Sequence, residues 1–536
     1  MAGPLHPTAP GSSVAPALGT AAPVVQAPAG AVRGEAVGDL YVFRGVPYAA
    51  PPVGQARWRP PAPAPAWPGV RDATRFGPAC FQPLSRPSGS LYADDPPAMS
   101  EDCLSLNIWT RADAHQAPVL VWIHGGSLVT GRGSQGIYDG AALANSGLVV
   151  VTINYRLGVL GWLAHPGLSA ESGAGVSGNY GLLDQIEALR WVRRNIAAFG
   201  GDPENLTLAG ESAGGISVLY LMASPAARGL FQKAIAQSAP MLTAPELRRE
   251  RFGHEPGEAA GSRLAARLSV DGVEGLRALD AGAITDAAAQ NGYYASGTVD
   301  GVILPRQVVE TFDLGEQARV PVLAGFNSGE IRSLRFFAAK PPADAAAYEA
   351  EIRRRYGDLA EAFLKLYPAT DMAESLLAAP RDLMYGWPAE RLVVKQSAIG
   401  QPAYLYLFDH GYPEADRADL HAFHGGELPY VFGSFARLAP AWPKPPQRES
   451  ETELSKAMIA YWSAFARTGA PDAPGLPAWR PYRDDRAYMA FAERPNPGVH
   501  LLPGMYELDE EVVRRRREAG DIPWNWNAGL LSPQAR

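Results

Sequence analysis

A chain of 536 residues can bury a large core, and by length alone it would divide into about three or four domains of ordinary size. Hydrophobic residues make up 47% and charged residues 19%, the balance of a globular protein, and no apolar run approaches the roughly 20 residues of a membrane-spanning helix. The net charge of −7 argues against a nucleic-acid partner, whose phosphates reward a basic surface.

The chain opens with thirty residues rich in Ala, Pro and Gly that hold no Lys or Arg. They lack the basic segment and apolar core of a signal peptide, so 1–23 reads as a disordered tail, or as what remains after a secretion signal is cut or replaced. Cys80 and Cys103 are the only cysteines and flank a loop-rich stretch containing PSGSLYADDPP. Two readings stand open. A pair of buried free thiols would leave a cytoplasmic location possible; a disulfide tying down the excursion would point to a secreted or periplasmic one. Residues 117–126, APVLVWIHGG, predict a strand buried on both faces, as in a parallel sheet, ending at His124-Gly125-Gly126. GLVVVTINY, 147–155, repeats the pattern. Leu182, Ile186, Leu189, Val192 and Ile196 then recur at helical spacing, stopping at a Gly200-Gly201 cap. LTLAGESAGG, 206–215, runs from a strand into a helix expected over 213–222. Further strands are expected at 233–238, 320–327 and 402–408. This alternation predicts a doubly wound α/β fold, a mostly parallel sheet with helices on both faces. RRRRE at 514–518 follows an acidic stretch and reads as a solvated helix face.

G-x-S-x-G around Ser212 suggests a nucleophile elbow, whose glycines are required because a Cβ there would strike the neighbouring strand and helix. The motif alone is weak, so its partners decide. In such sheets catalytic side chains gather at the C-terminal strand ends. His6, His115, His165 and His254 fall in loops or the tail, whereas His424, in HAFHGGELPYVFG, follows the strand ending near Phe408. Glu330 lies just past the strand ending at Phe326; Asp300 and Asp313 in neighbouring loops are rival acids. The order Ser212, Glu330, His424 is the Ser…acid…His order of α/β hydrolases. No H-x-x-x-H or paired-Cys spacing suggests a metal, and the chemistry needs no cofactor. Arg332 and Arg335, with Arg132 from the TGRGSQG loop, are either an anion clamp for an ester bearing a free carboxylate or surface arginines paired with nearby acids.

FGGDPENLTLAGESAG (199–214) resembles the serine signature of the type-B carboxylesterase family, which includes the cholinesterases. EDCLSLNIW (101–109) resembles that family's second signature except at Ser105, where an aromatic residue or Thr is usual. FRGVPYAAPPVGQARWRPP, NYRLGVLGWL and HGGELPYVFG are similar blocks, so the resemblance covers roughly residues 24–510. It implies an α/β-hydrolase fold with one catalytic domain over 24–526, insertions near 240–300 and 331–400, and a C-terminal tail at 527–536. It implies Ser212 as nucleophile, His424 as base and Glu330 as acid. An oxyanion hole would come from the N–H groups of Gly126, Ser127 and Ala213, the family commonly having Gly or Ala at Ser127. Glu211 and Ser238 resemble groups that support the triad from behind. Arg57–Glu101 and Arg156–Asp184 resemble scaffold ion pairs, and the Cys80–Cys103 loop would border the mouth of the site. The expected partner is a small or medium-sized carboxylic ester. The same triad serves amidases and lactone hydrolases, and non-catalytic binding proteins share the fold.

Overall fold

The computed structural model describes residues 22–83, 90–94, 96, 98–525 and 527–534. Residues 1–21 of the expected tail, and part of the loop between Cys80 and Cys103, lie outside them.

Strands expected from continuous apolar runs form the middle of an eleven-stranded sheet. In chain order these are β1 (Glu35–Val37), β2 (Leu40–Pro47), β3 (Ser105–Arg111), β4 (Ala117–Ile123), β5 (Val149–Ile153) and β6 (Gly201–Glu211). They continue with β7 (Lys233–Gln237), β8 (Val322–Asn327), β9 (Ala403–Phe408), β10 (Ala487–Phe491) and β11 (Pro495–Val499). The spatial order is β11-β10-β9-β8-β7-β6-β4-β5-β3-β2-β1. From β5 through β10 the pairing is parallel, and the remaining strands join antiparallel at either side.

Both faces of the parallel block are buried, and the side-chain period of two divides each strand between them. On β4, Val119, Val121 and Ile123 enter one core; Leu120 and Trp122 enter the other. Helices α1 (Tyr180–Asn195), α2 (Ala213–Ala223) and α3 (Trp387–Ala398) cover the first face. Helix α4 (Glu449–Thr468) covers the second through Leu454, Met458, Tyr461, Trp462 and Phe465. After α1, a short 3₁₀ turn runs to Gly200, whose φ of 83° suits a residue without a Cβ. No helix among the described residues is long and apolar enough to cross a membrane.

Over its described part the C-terminal tail packs back on the domain: Gly529 and Leu530 are buried, and Arg516 donates to Ser532 Oγ. One expectation needs correction. The RRRRE run is only partly a solvated face. Arg514, Arg515 and Arg517 meet acids at the surface, but Arg516 is buried and donates to the carbonyls of Trp524 and Asn527. Arg516 stands four residues after buried Val512 and three after buried Val513, so helical periodicity turns it inward.

Candidate active site

β6 delivers Ser212 at its C-terminal end, where the backbone turns into α2 with φ 56° and ψ −120°. A non-glycine residue there stores strain that the packing around it must hold. The flanking glycines make the turn possible. A Cβ on Gly210 would lie 2.5 Å from the Gly214 carbonyl, and one on Gly214 would lie 2.0 Å from Ile123 O at the end of β4. The same close packing brings Gly125 to Ser212, since a Cβ on Gly125 would meet Ser212 Cβ at 3.2 Å.

Gly125 belongs to the segment leaving β4. His124 Nδ1 stands 2.8 Å from the Gly125 carbonyl, so that nitrogen carries the proton. Burial lowers His124 to about 4, and its ring stacks on Tyr155. A neutral, buttressed imidazole of this kind fixes backbone. Beyond it, Gly126 has φ 106° and Ser127 φ 56°. The N–H groups of Gly126, Ser127 and Ala213 have no acceptor among the described residues.

Glu330 follows β8 by three residues and is fully buried. Its Oε1 accepts from the Asn327 N–H at 2.8 Å and from Ser238 Oγ at 2.6 Å. Its Oε2 lies 2.5 Å from His424 Nδ1. The segments carrying the two are themselves joined: Gly329 pairs with Phe423, and Asn327 Nδ2 donates to the Phe423 carbonyl. The rival acids are engaged elsewhere. Asp300 accepts from Asn179 and from the N–H groups of residues 302–304, and Asp313 pairs with Arg391, Lys395 and Arg517.

Opposite Nδ1, His424 Nε2 stands 3.2 Å from Glu211 Oε1. A third buried acid, missed by sequence reasoning, is Glu427, three residues past His424. It accepts from Gln237 Nε2 at 2.8 Å and Asn327 Nδ2 at 2.6 Å. Its position in the quoted HGGELPYVFG block was the available signal. Burial disfavours the imidazolium, but Glu211, Glu330 and Glu427 together outweigh it and raise His424 above its ordinary range. Burial, reinforced by Glu427 and Glu330 against His424, raises Glu211 well above the usual carboxylate range. Burial likewise raises Glu427.

The three arginines do not form an open clamp. Arg332 faces Asp419 at 2.6 Å and also Glu374; Arg335 faces the same Asp419; Arg132 pairs with Asp94 at 2.8 Å. This is the paired-arginine alternative. Cys80 and Cys103 are joined by a disulfide, and the Arg57–Glu101 and Arg156–Asp184 pairs are formed at 2.6 Å and 2.7 Å.

A sequence model described as the carboxylesterase family matches residues 21–503. The fumonisin B1 esterase of Sphingopyxis macrogoltabida is 38% identical over 492 residues, covering 88% of this chain and 87% of that protein. The para-nitrobenzyl esterase of Bacillus subtilis strain 168 is 37% identical over 476 residues, covering 85% and 92%. Among solved structures, a Geobacillus stearothermophilus carboxylesterase aligns with a TM-score of 0.77 at 34% identity, covering 90% of this chain and 99% of that one.

Proposed function

Because the chain belongs to the carboxylesterase family, we propose that it hydrolyses carboxylic esters with Ser212 as nucleophile, His424 as general base and Glu330 as the acid that orients the base. The observation that carries this reading is the 2.5 Å contact between Glu330 Oε2 and His424 Nδ1, in a site whose serine is held at a strained elbow.

Ser212 Oγ adds to the ester carbonyl carbon as its proton passes to His424 Nε2. Glu330 fixes the tautomer by accepting the Nδ1 proton and balances the charge of the imidazolium. The carbonyl oxygen, now anionic, accepts from the N–H groups of Gly126, Ser127 and Ala213, an arrangement worth about 3 kcal/mol per donor in known cases. The adduct collapses, the alcohol leaves with the imidazolium proton, and water attacks the acyl-enzyme with the same base. Ser238 donates to Glu330 and keeps that carboxylate aimed. Glu211 stands beside Nε2, where positive charge develops and would draw this acid, raised by burial, towards its carboxylate form.

The substrate we infer is a small or medium-sized carboxylic ester. The pairing of Arg132, Arg332 and Arg335 with acids lends no support to a free carboxylate on it. The Cys80–Cys103 disulfide supports an oxidising, extracytoplasmic compartment; two free thiols on titrating the denatured, unreduced protein would contradict that placement. The deciding assay is turnover of a chromogenic short-chain aryl ester against the matched anilide and lactone, with organophosphonate labelling located by peptide mapping. Ester turnover with label on Ser212 supports the reading. Faster anilide or lactone cleavage would reassign the reaction, and label elsewhere would reassign the nucleophile.

A further inference from the structure

The loop closed by Cys80 and Cys103 reaches the site from two sides. On the oxyanion side, Gln82 Oε1 accepts the Gly131 N–H at 3.1 Å, and Gln82 Nε2 donates to the Gly131 carbonyl at 3.0 Å. Gly131 in turn abuts the segment that carries the amides: a Cβ there would lie 2.5 Å from His124 Nδ1 and 2.6 Å from the Gly125 carbonyl. The next residue, Arg132, is held by the same loop through both the carboxylate of Asp94 at 2.8 Å and its carbonyl at 2.5 Å.

On the imidazole side stands Tyr92. Its hydroxyl lies 2.8 Å from the His424 carbonyl and 2.8 Å from Ser333 Oγ. A carbonyl can only accept, so the Tyr92 proton goes to His424, and the Ser333 hydroxyl donates to Tyr92. Ser333 is three residues past Glu330, so one phenol ties the segments bearing both the base and its acid. The Tyr92 ring packs edge-on against Trp442 with centroids 5.8 Å apart, which fixes where the hydroxyl points. Gln82 and Arg132 are both buried, while Asp94, the partner of Arg132, is partly exposed.

We propose that the Cys80–Cys103 loop is a clamp that sets the spacing between the oxyanion amides and the His424–Glu330 pair, with Tyr92 and Arg132 as positioning residues. The inference rests on the assignment of Ser212, His424 and Glu330 above. Its rationale is steric tolerance: misplacing reacting groups by about an ångström costs about a hundredfold in rate. The two halves of the site come from β4 and from the connections after β8 and β9, and this loop touches both.

The experiment uses the full chain and measures kcat and KM with an aryl ester, affinity for a trifluoromethyl ketone, and thermal unfolding. Tyr92→Phe keeps the ring and removes the hydroxyl; it should lower kcat about five- to tenfold, with KM within about twofold and unfolding little changed. Asp94→Asn should weaken ketone binding by the same factor as kcat/KM, because both report the oxyanion geometry. Cys80→Ser/Cys103→Ser should lose at least as much kcat as Tyr92→Phe. Adding Tyr92→Phe to it should then cost less than about a further twofold, as expected of parts acting through one element. Wild-type kcat in Tyr92→Phe would overturn the clamp, as would losses that multiply in the combined variant. A wild-type protein that neither cleaves esters nor takes phosphonate on Ser212 would overturn the underlying triad assignment instead.

Discussion

Two ionic clusters lie within a few residues of each other in sequence and behave in opposite ways. Around His424, three carboxylates are sealed in the interior: Glu330 and Glu211 stand against the imidazole, and Glu427 acts on it through space. Just beyond Glu330, Arg332 and Arg335 face Asp419 and Glu374 at the surface, with the Arg335 and Asp419 side chains 53% and 66% exposed. The second cluster has formal charges in balance yet little leverage, because water and salt screen exposed pairs. The first is buried, so its charges are weakly screened and small changes in composition alter the protonation of the base. Burial decides which charges matter to the chemistry, and an arginine count does not.

The largest effect should come from emptying the buried cluster of its nucleophile. Ser212→Ala is expected to lower kcat by about 10⁴- to 10⁶-fold while leaving the folded state intact, checked by steady-state turnover alongside circular dichroism. More than a tenth of wild-type turnover would remove Ser212 from the mechanism. Glu330→Gln comes next. Its amide leaves the shape but not the charge at Nδ1, and kcat should fall about 10³- to 10⁴-fold.

A subtler break acts through pH. The general base must be neutral, so kcat/KM falls as pH drops through the pKa of His424. Surrounding carboxylates raise that pKa, which places the acid limb above the unperturbed value near 6.5. Glu211→Gln removes one of those charges and should move the limb to lower pH, with kcat reduced about tenfold. A limb that stays put or moves up would show that Glu211 carries no charge in the active form. The smallest effect belongs to the exposed cluster. Arg332→Ala and Arg335→Ala should each change kcat/KM by less than about threefold on neutral esters and on matched esters carrying a free carboxylate. A selective loss on the anionic ester would restore the clamp and erase the contrast drawn above.

The sheet and the serine elbow were legible in sequence because their causes are local. Continuous apolar runs mark strands buried on both faces, and G-x-S-x-G marks a turn that tolerates no Cβ at either end. The expected strands at 117–126, 147–155 and 320–327 ran only a few residues past the observed ends. Bringing Glu330 to His424 drew on strand-end position, on the Ser…acid…His order and on the family resemblance together. Tyr92, Gln82 and Asp94 were invisible because their meaning lies in contacts made across long sequence separations: Tyr92 reaches a carbonyl 332 residues away. Nothing in PSGSLYADDPP marks that tyrosine as different from its neighbours. Arg516 was hidden by composition, its run of four arginines masking a periodicity that Val512 and Val513 already announced.

The eleven-stranded sheet is open, so it has two rims whose unpaired backbone groups are a standing invitation to another polypeptide. At one rim, β11 reads PNPGV, and Pro495 and Pro497 pair with Phe491 and Met489 of β10. Neither proline has an N–H to offer. Spaced two apart, they face the same way along the strand, so an incoming strand would find pyrrolidine rings where it needs N–H donors. Glycine at 498, the residue that follows, offers it no side chain to pack against. This rim is therefore a poor template for sheet-to-sheet polymerisation, a protection that rests on the chemistry of five residues.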